Sequence, residues 1–228
     1  SSVAGVQTCA LPIFGFMVSS GIGSYADITS SNPFRVQNDF VDAACGFKDL
    51  FERGTTVSGR EAVFNASEDC RQFAYIDEKL DKAHVTITRG SEIVLDRDFT
   101  GLENPQIIDL GDVKEGDRIE IVSADNDVDY ITVYNAGMTY GNLDRAMEML
   151  GRETLDITYF SDTEVRGKLS ASEDGCLFTT IPYSSGWSVY IDGNKVETEA
   201  FSNAFLTVNV SEGEHEITFV YESPPLKL

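Results

Sequence analysis

Residues 181–225, IPYSSGWSVYIDGNKVETEAFSNAFLTVNVSEGEHEITFVYESPP, restrict the fold more than any other stretch. Val189 and Ile191 fall on one side of an extended backbone, and Ser188, Tyr190 and Asp192 on the other. That period of two is the mark of a half-buried strand. Asp192-Gly193-Asn194 suits a tight hairpin, because Gly and Asn accept positive φ at little cost. Val196 opens the return strand. A further strand over 201–210 alternates through Phe205, Leu206, Val208 and Val210. Glu212-Gly213-Glu214 turns the chain, and Ile217, Phe219 and Tyr221 line one face of the last strand. Pro224-Pro225 ends it, since proline brings no N–H to a ladder. Trp187, the only tryptophan, reads as a core plug rather than a platform for stacking a sugar.

The same alternation recurs upstream at 62–65, 71–77, 83–89, 92–99, 106–110, 118–123 and 130–136, and again at 155–160, 164–170 and 176–182. Arg89-Gly90-Ser91 and Lys114-Glu115-Gly116-Asp117 supply turns between strands. Two segments have helical spacing. Asn32 caps and Pro33 starts a helix over 33–45, with Phe34, Val41 and Cys45 on one face and Gly46 placed to stop it. Leu143, Ala146, Met147 and Leu150 follow i, i+3, i+4, i+7 in a helix over 142–150, capped by Asn142 and stopped by Gly151.

The fold expected is therefore mainly β: two antiparallel β-sandwich domains, jelly-roll or immunoglobulin-like, with two short helices. The first sandwich covers 60–151 with 142–150 as its closing helix, and the second covers 152–228. Residues 15–59 hold an extended segment and the helix over 33–45, with 19–31 and 49–59 as loops. Residues 1–14 read as an artefactual or disordered leader: GVQTCALPI at 5–13 has the look of a translated sequencing adapter. For 11–13 an authentic extended segment running on to Val18 fits equally well.

A net charge of -21 excludes a nucleic-acid partner, which needs a basic face, and disfavours adhesion to an anionic membrane surface. Four cysteines, Cys9, Cys45, Cys70 and Cys176, lack CxxC or His-paired spacing, so zinc and redox chemistry are not indicated and isolated buried thiols are expected. His84 and His215 both sit in strand patterns and read as exposed or satisfied strand residues rather than ligands. No run reaches the ~18 apolar residues of a membrane helix.

Candidate chemistry is sparse. Asp125-Asn126-Asp127-Val128-Asp129 has the spacing that opens a calcium loop, but Tyr130 and Ala136 stand where an EF-hand needs Gly and Glu, so an acidic turn is the reading. Asp96 and Asp98 read as a solvated face. No GxSxG, P-loop or HExxH occurs. No catalytic, cofactor-binding or metal-ligating residue is assigned, and no cofactor is expected. Tyr134, Tyr140, Tyr159, Tyr183 and Tyr190 are ordinary strand residues that can also meet sugar; Tyr183, Trp187 and Tyr190 are the sugar-contact candidates.

Ile181 to Gly193 resembles the "IPYdkGWxVyvDG" motif of the YfhO family. Asn203-Ala204-Phe205-Leu206, Gly213-Glu214-His215 and Tyr221-Glu222-Ser223-Pro224-Pro225 continue the likeness in order. Asn32-Pro33-Phe34, Gln37-Asn38-Asp39-Phe40-Val41 and Gly46 are similar to the family's "NPFexQNefvkxlTG" helix, and Gly15-Phe16-Met17-Val18-Ser19 to its "GFmVs" segment. Leu226 stands where the family usually has Gly. The resemblance implies a polytopic bacterial membrane protein of the lipid-linked-sugar-dependent glycosyltransferase type, associated with glycosylating cell-envelope polymers such as lipoteichoic acid. This chain would be its extracytoplasmic β region, non-catalytic by itself, on the outer face of the cell membrane. Its partners would be the membrane-embedded remainder of the same chain and a cell-envelope glycopolymer. The alternative class is a secreted carbohydrate-binding or adhesion β-sandwich module.

Overall fold

The computed structural model describes residues 15–20, 22, 31–52, 54–125 and 127–223. The expected leader, Cys9 and the Pro224-Pro225 stop lie outside the described residues. In chain order the elements are β1 (Gly15–Val18), α1 (Pro33–Cys45), β2 (Thr56–Gly59), β3 (Glu61–Asn65), β4 (Cys70–Ile76), β5 (Lys82–Arg89), β6 (Glu92–Thr100), β7 (Ile107–Val113), β8 (Arg118–Ser123) and β9 (Ile131–Met138). They continue with α2 (Tyr140–Leu150), β10 (Asp156–Phe160), β11 (Glu164–Ala171), β12 (Gly175–Pro182), β13 (Trp187–Ile191), β14 (Asn194–Val196), β15 (Glu199–Phe201), β16 (Phe205–Val210) and β17 (Gly213–Tyr221). Among the described residues the protein is mainly β with antiparallel sheets and two helices, as the alternation predicts.

The chain divides into two compact units. The middle unit takes its described residues from 31–42 and 46–148, and the C-terminal unit from 15–22, Ala43–Cys45 and 149–223. The middle unit holds sheets β2-β9-β4-β7 and β3-β8-β5-β6. One core draws on both: Ala74, Ile76, Ile108, Ile131 and Val133 from the first, and Ala62, Val85, Ile87, Ile119 and Ile121 from the second. Most are β-branched, which suits a pleated surface, and burying each such side chain stabilises by about 1.5–3 kcal/mol.

The C-terminal unit holds β1-β12-β16-β15 and β10-β11-β17-β13-β14. Leu177, Ile181, Leu206 and Val208 share its core with Val165, Leu169, Val189, Ile217 and Phe219. The two-residue turn between β13 and β14 is Asp192 (φ 52) and Gly193 (φ 79), both left-handed, as a tight hairpin demands. Trp187 is partly buried against this core, its ring 5.1 Å from that of Tyr221.

Several details differ from the sequence reading. The extended segment expected from residue 15 is β1, and its partner is what the sequence does not show. β1 pairs with β12, Gly15 opposite Thr179 and Val18 opposite Cys176, so an N-terminal strand completes a C-terminal sheet. β2 lies in what reads as loop; Thr56-Val57-Ser58-Gly59 offers one large apolar side chain and no alternation to read. The strand expected over 201–210 splits at Ser202 and Asn203, whose positive φ (48 and 55) turns β15 into β16. The second helix begins at Tyr140, and Thr139, not Asn142, caps it: Asn142 N donates to Thr139 Oγ1 at 3.1 Å. Cys70 and Cys176 are free thiols. Cys70 and Cys176 are buried, and burial pushes the Cys70 thiol up to about 11 and that of Cys176 upward; Cys45 is only half-buried.

Candidate functional site

A cleft lies beside α1, and local sequence builds it. Asn32 Oδ1 accepts from Phe34 N (3.0 Å) and Arg35 N (3.3 Å), and Pro33 fills the first helical position. Gly46 closes the helix at φ 76, its N–H donating to Asp42 O at 2.7 Å. Phe34 is buried and packs on Phe51 at 5.2 Å, which packs edge-on to Phe73 at 5.7 Å.

One turn beyond Phe34, Asn38 fastens the loop that follows the helix. Its Nδ2 donates to Phe51 O at 2.7 Å and its Oδ1 accepts from Phe51 N at 2.8 Å. Glu52 N then donates to Gly137 O, and Asn142 Nδ2 donates to Asp49 O, both at 2.8 Å. Asn135 Nδ2 donates to Thr55 O (2.8 Å) and Oγ1 (3.0 Å). Gly54 passes so close that a Cβ there would sit 1.3 Å from Asn135 O, so no larger residue fits this backbone.

The result is a cleft of about 790 Å³. Its charged lining is Arg35, Asp39, Asp42, Lys48, Asp49 and Glu52, four carboxylates against two cations. Arg35 is 3.7 Å from Asp39 and Lys48 is 3.9 Å from Asp42, loose pairs on exposed side chains. Glu52 Oε2 accepts from Ser67 Oγ at 2.5 Å. Partial burial, then the charge and hydrogen bond of Glu52, hold the neighbouring Glu68 carboxyl above the usual carboxylate range. The cleft therefore accepts hydrogen bonds more readily than it donates them. Sequence spacing gives no sign of it, because Asn38 and Phe51 meet across a helix terminus and Asn135 arrives from β9.

The sugar-contact candidates do not converge. Tyr183 follows β12 and is 41% exposed. Trp187 and Tyr190 are both on β13 but face opposite ways: Trp187 shares the core side with Val189 and Ile191, and Tyr190 points out. Tyr134 packs on Tyr75 at 6.2 Å, and Tyr140 OH donates to Asp112 Oδ1 at 3.0 Å.

The remaining polar motifs are structural. Asp125 Oδ2 accepts from Asp81 N at 2.6 Å and holds a turn. Among the described residues no group of three His, Cys, Asp or Glu side chains is placed to hold a metal ion. His84 lies between Asp96 (2.9 Å) and Asp98 (2.8 Å) on the exposed face of β5 and β6, while His215 is largely enclosed against Asp192. Among the described residues no helix is long and apolar enough to cross a membrane.

No curated protein sequence matches the chain. Among solved structures it is similar to a cupin 2 conserved barrel domain protein from Leptotrichia buccalis (11% identity, 75% of this chain and 91% of that chain, TM-score 0.20). It is also similar to vicilin from Solanum lycopersicum, tomato (9%, 72% and 70%, TM-score 0.19), and to the 7S globulin of Momordica charantia (11%, 75% and 67%, TM-score 0.19). Overlaps this low carry no argument about fold or function. The sequence model of the family described as "Bacterial membrane protein YfhO" matches residues 20–228, taking in α1, both units and the GW…DG hairpin. The chain belongs to the YfhO family of bacterial membrane proteins.

Proposed function

We propose that this chain is the water-exposed, extracytoplasmic β region of a membrane glycosyltransferase that modifies cell-envelope polymers such as lipoteichoic acid. In this reading it does not itself perform the transfer. The observation that carries the proposal is the family match, which runs through both β units of a strongly acidic chain. A chain of that kind belongs in water, and a family of membrane proteins supplies the reason for it to be tethered nearby.

Two measurements on the native gene product in bacterial cells test this. Membrane fractionation followed by a membrane-impermeant amine label on intact cells should find the chain in the membrane fraction and labelled from outside. Labelling only after lysis, or recovery in the culture medium, overturns the location; recovery in the medium instead supports the secreted module. Deletion of the gene should lower the sugar content of an envelope polymer, and an unchanged polymer overturns the transferase assignment.

A further inference from the structure

The five-stranded sheet of the C-terminal unit carries a line of side chains that strand register alone brings together. Tyr159 on β10 is opposite Arg166 on β11; Arg166 is opposite Thr218 on β17; Thr218 is opposite Tyr190 on β13; and Tyr190 is opposite Lys195 on β14. The row crosses every strand of the sheet. Its neighbours along the three central strands, Val165 and Gly167 on β11, Ile217 and Phe219 on β17, and Val189 on β13, are buried and face the core. The row therefore lies on the side away from the core. Tyr159 is 48% exposed and the Arg166 side chain 57% exposed. The Arg166 guanidinium sits 5.3 Å from the Tyr159 ring centroid, and its Nε donates to Glu164 Oε1 at 2.7 Å.

We infer that this outer face binds a neutral glycan chain laid across the strands. Tyr159 and Tyr190 are the stacking surfaces, with Arg166, Thr218 and Lys195 hydrogen-bonding to sugar hydroxyls. At a strand spacing of about 4.8 Å the two tyrosines stand about 14 Å apart, the reach of a short oligosaccharide. Aromatic faces accept the apolar C–H side of a pyranose, and a guanidinium already held by Glu164 offers donors at little ordering cost. The charge pattern selects the ligand class. Asp156, Glu164, Glu214 and Glu216 interleave with Arg166, Lys168 and Lys195 on this face, four carboxylates against three cations, and the chain as a whole is -21. A polyphosphate or an anionic lipid surface meets repulsion there, whereas an uncharged polyol meets donors and acceptors of both signs.

This goes beyond the proposed function and is tested separately from it, because it requires neither membrane attachment nor sugar transfer. Calorimetric titration of the full 228-residue chain with gluco-, galacto- and N-acetylglucosamine oligosaccharides is set beside titration with polyglycerol phosphate. Binding to a neutral series is expected. Tyr159→Ala and Tyr190→Ala should each weaken it about five- to tenfold, with circular dichroism unchanged. Tyr159→Phe, which keeps the stacking face, should bind like the parent. Absence of binding to every neutral series, binding to the polyanion alone, or affinity indifferent to both alanine variants overturns the inference. Failure here leaves labelling and polymer composition, the tests of the proposed function, untouched.

Discussion

His215 Nδ1 lies 2.8 Å from Asp192 Oδ2, and the opposite ring nitrogen lies 3.0 Å from the Ser211 carbonyl oxygen. Both of these partners accept, so the geometry favours the doubly protonated, positively charged ring. Asp192 Oδ1 meanwhile accepts from Glu216 N at 2.9 Å. One ion pair thus ties the β13–β14 turn to the start of β17, and it joins the DG and GEH elements of the sequence motif.

This pair sets a pH window for the C-terminal unit. The hydrogen bond to Asp192, acting against burial, raises the pKa of His215 above its ordinary 6.5. The stability it contributes is complete below 6.5 and is lost as pH climbs through the raised value. Asp192 is shifted the other way, first by Glu216 N–H and then by His215, so its contribution holds above 3.8 and is lost as pH falls through the lowered value. Thermal melts followed by Trp187 fluorescence should show a plateau between these limits and a decline on the alkaline side. His215→Gln should lower the plateau and flatten the alkaline decline; an unchanged alkaline limb would show that another group causes it.

Asp117 is the buried charge of the middle unit, 1% exposed. It accepts from Arg89 Nε (2.9 Å) and Nη2 (2.7 Å) and from Lys114 N (2.9 Å). Arg89 depresses its carboxyl pKa, so the contribution is present above the ordinary 3.8 and lost as pH falls below it. Asp117→Ala strands donors at the β7–β8 turn and should cost about 1.5–3 kcal/mol in urea unfolding monitored by circular dichroism.

Gly186 precedes Trp187 for a steric reason. A Cβ there would meet Glu222 O at 2.6 Å and Tyr221 Cε2 at 2.6 Å, while Gly186 O accepts from Glu222 N at 2.9 Å. Gly186→Ala should therefore destabilise by about 1–3 kcal/mol. It should also shift the Trp187 emission, because Tyr221 moves off the indole.

What could be read from sequence follows from how local each signal is. The Asn32-Pro33 start, the Gly46 stop and the Asp192-Gly193 turn are decided by the φ preferences of adjacent residues, and all three stand in the structure. The pairing of β1 and the existence of β2 escape because each strand is only four residues long and is held by a distant partner, β12 or β9. Ser202 and Asn203 turn the chain without glycine or proline, so nothing interrupts the apolar alternation around them. Tyr159 and Tyr190 can each be named as strand aromatics, but their alignment depends on two strands that separate them. The α1 cleft is legible in its helix and hidden in its other wall, which Asn135 and Gly137 bring from β9.

Asn38 is where that cleft is most exposed to test. Its side chain satisfies both the N–H and the C=O of Phe51 in the loop between Gly46 and Gly54. Asn38→Ala leaves those groups to water and frees the loop from α1, at a cost of about 1–3 kcal/mol. The Phe34–Phe51 contact should loosen with it. Asn38→Asp keeps the acceptor for Phe51 N but turns the donor to Phe51 O into a second acceptor, so repulsion replaces one bond. Hydrogen exchange should therefore show the Phe51 and Glu52 amides exchanging faster in the alanine variant. In the aspartate variant the Phe51 amide should stay the more protected of the two. Equal protection in both variants and the parent would mean that the Phe34–Phe51–Phe73 packing alone holds the loop and that Asn38 merely accompanies it.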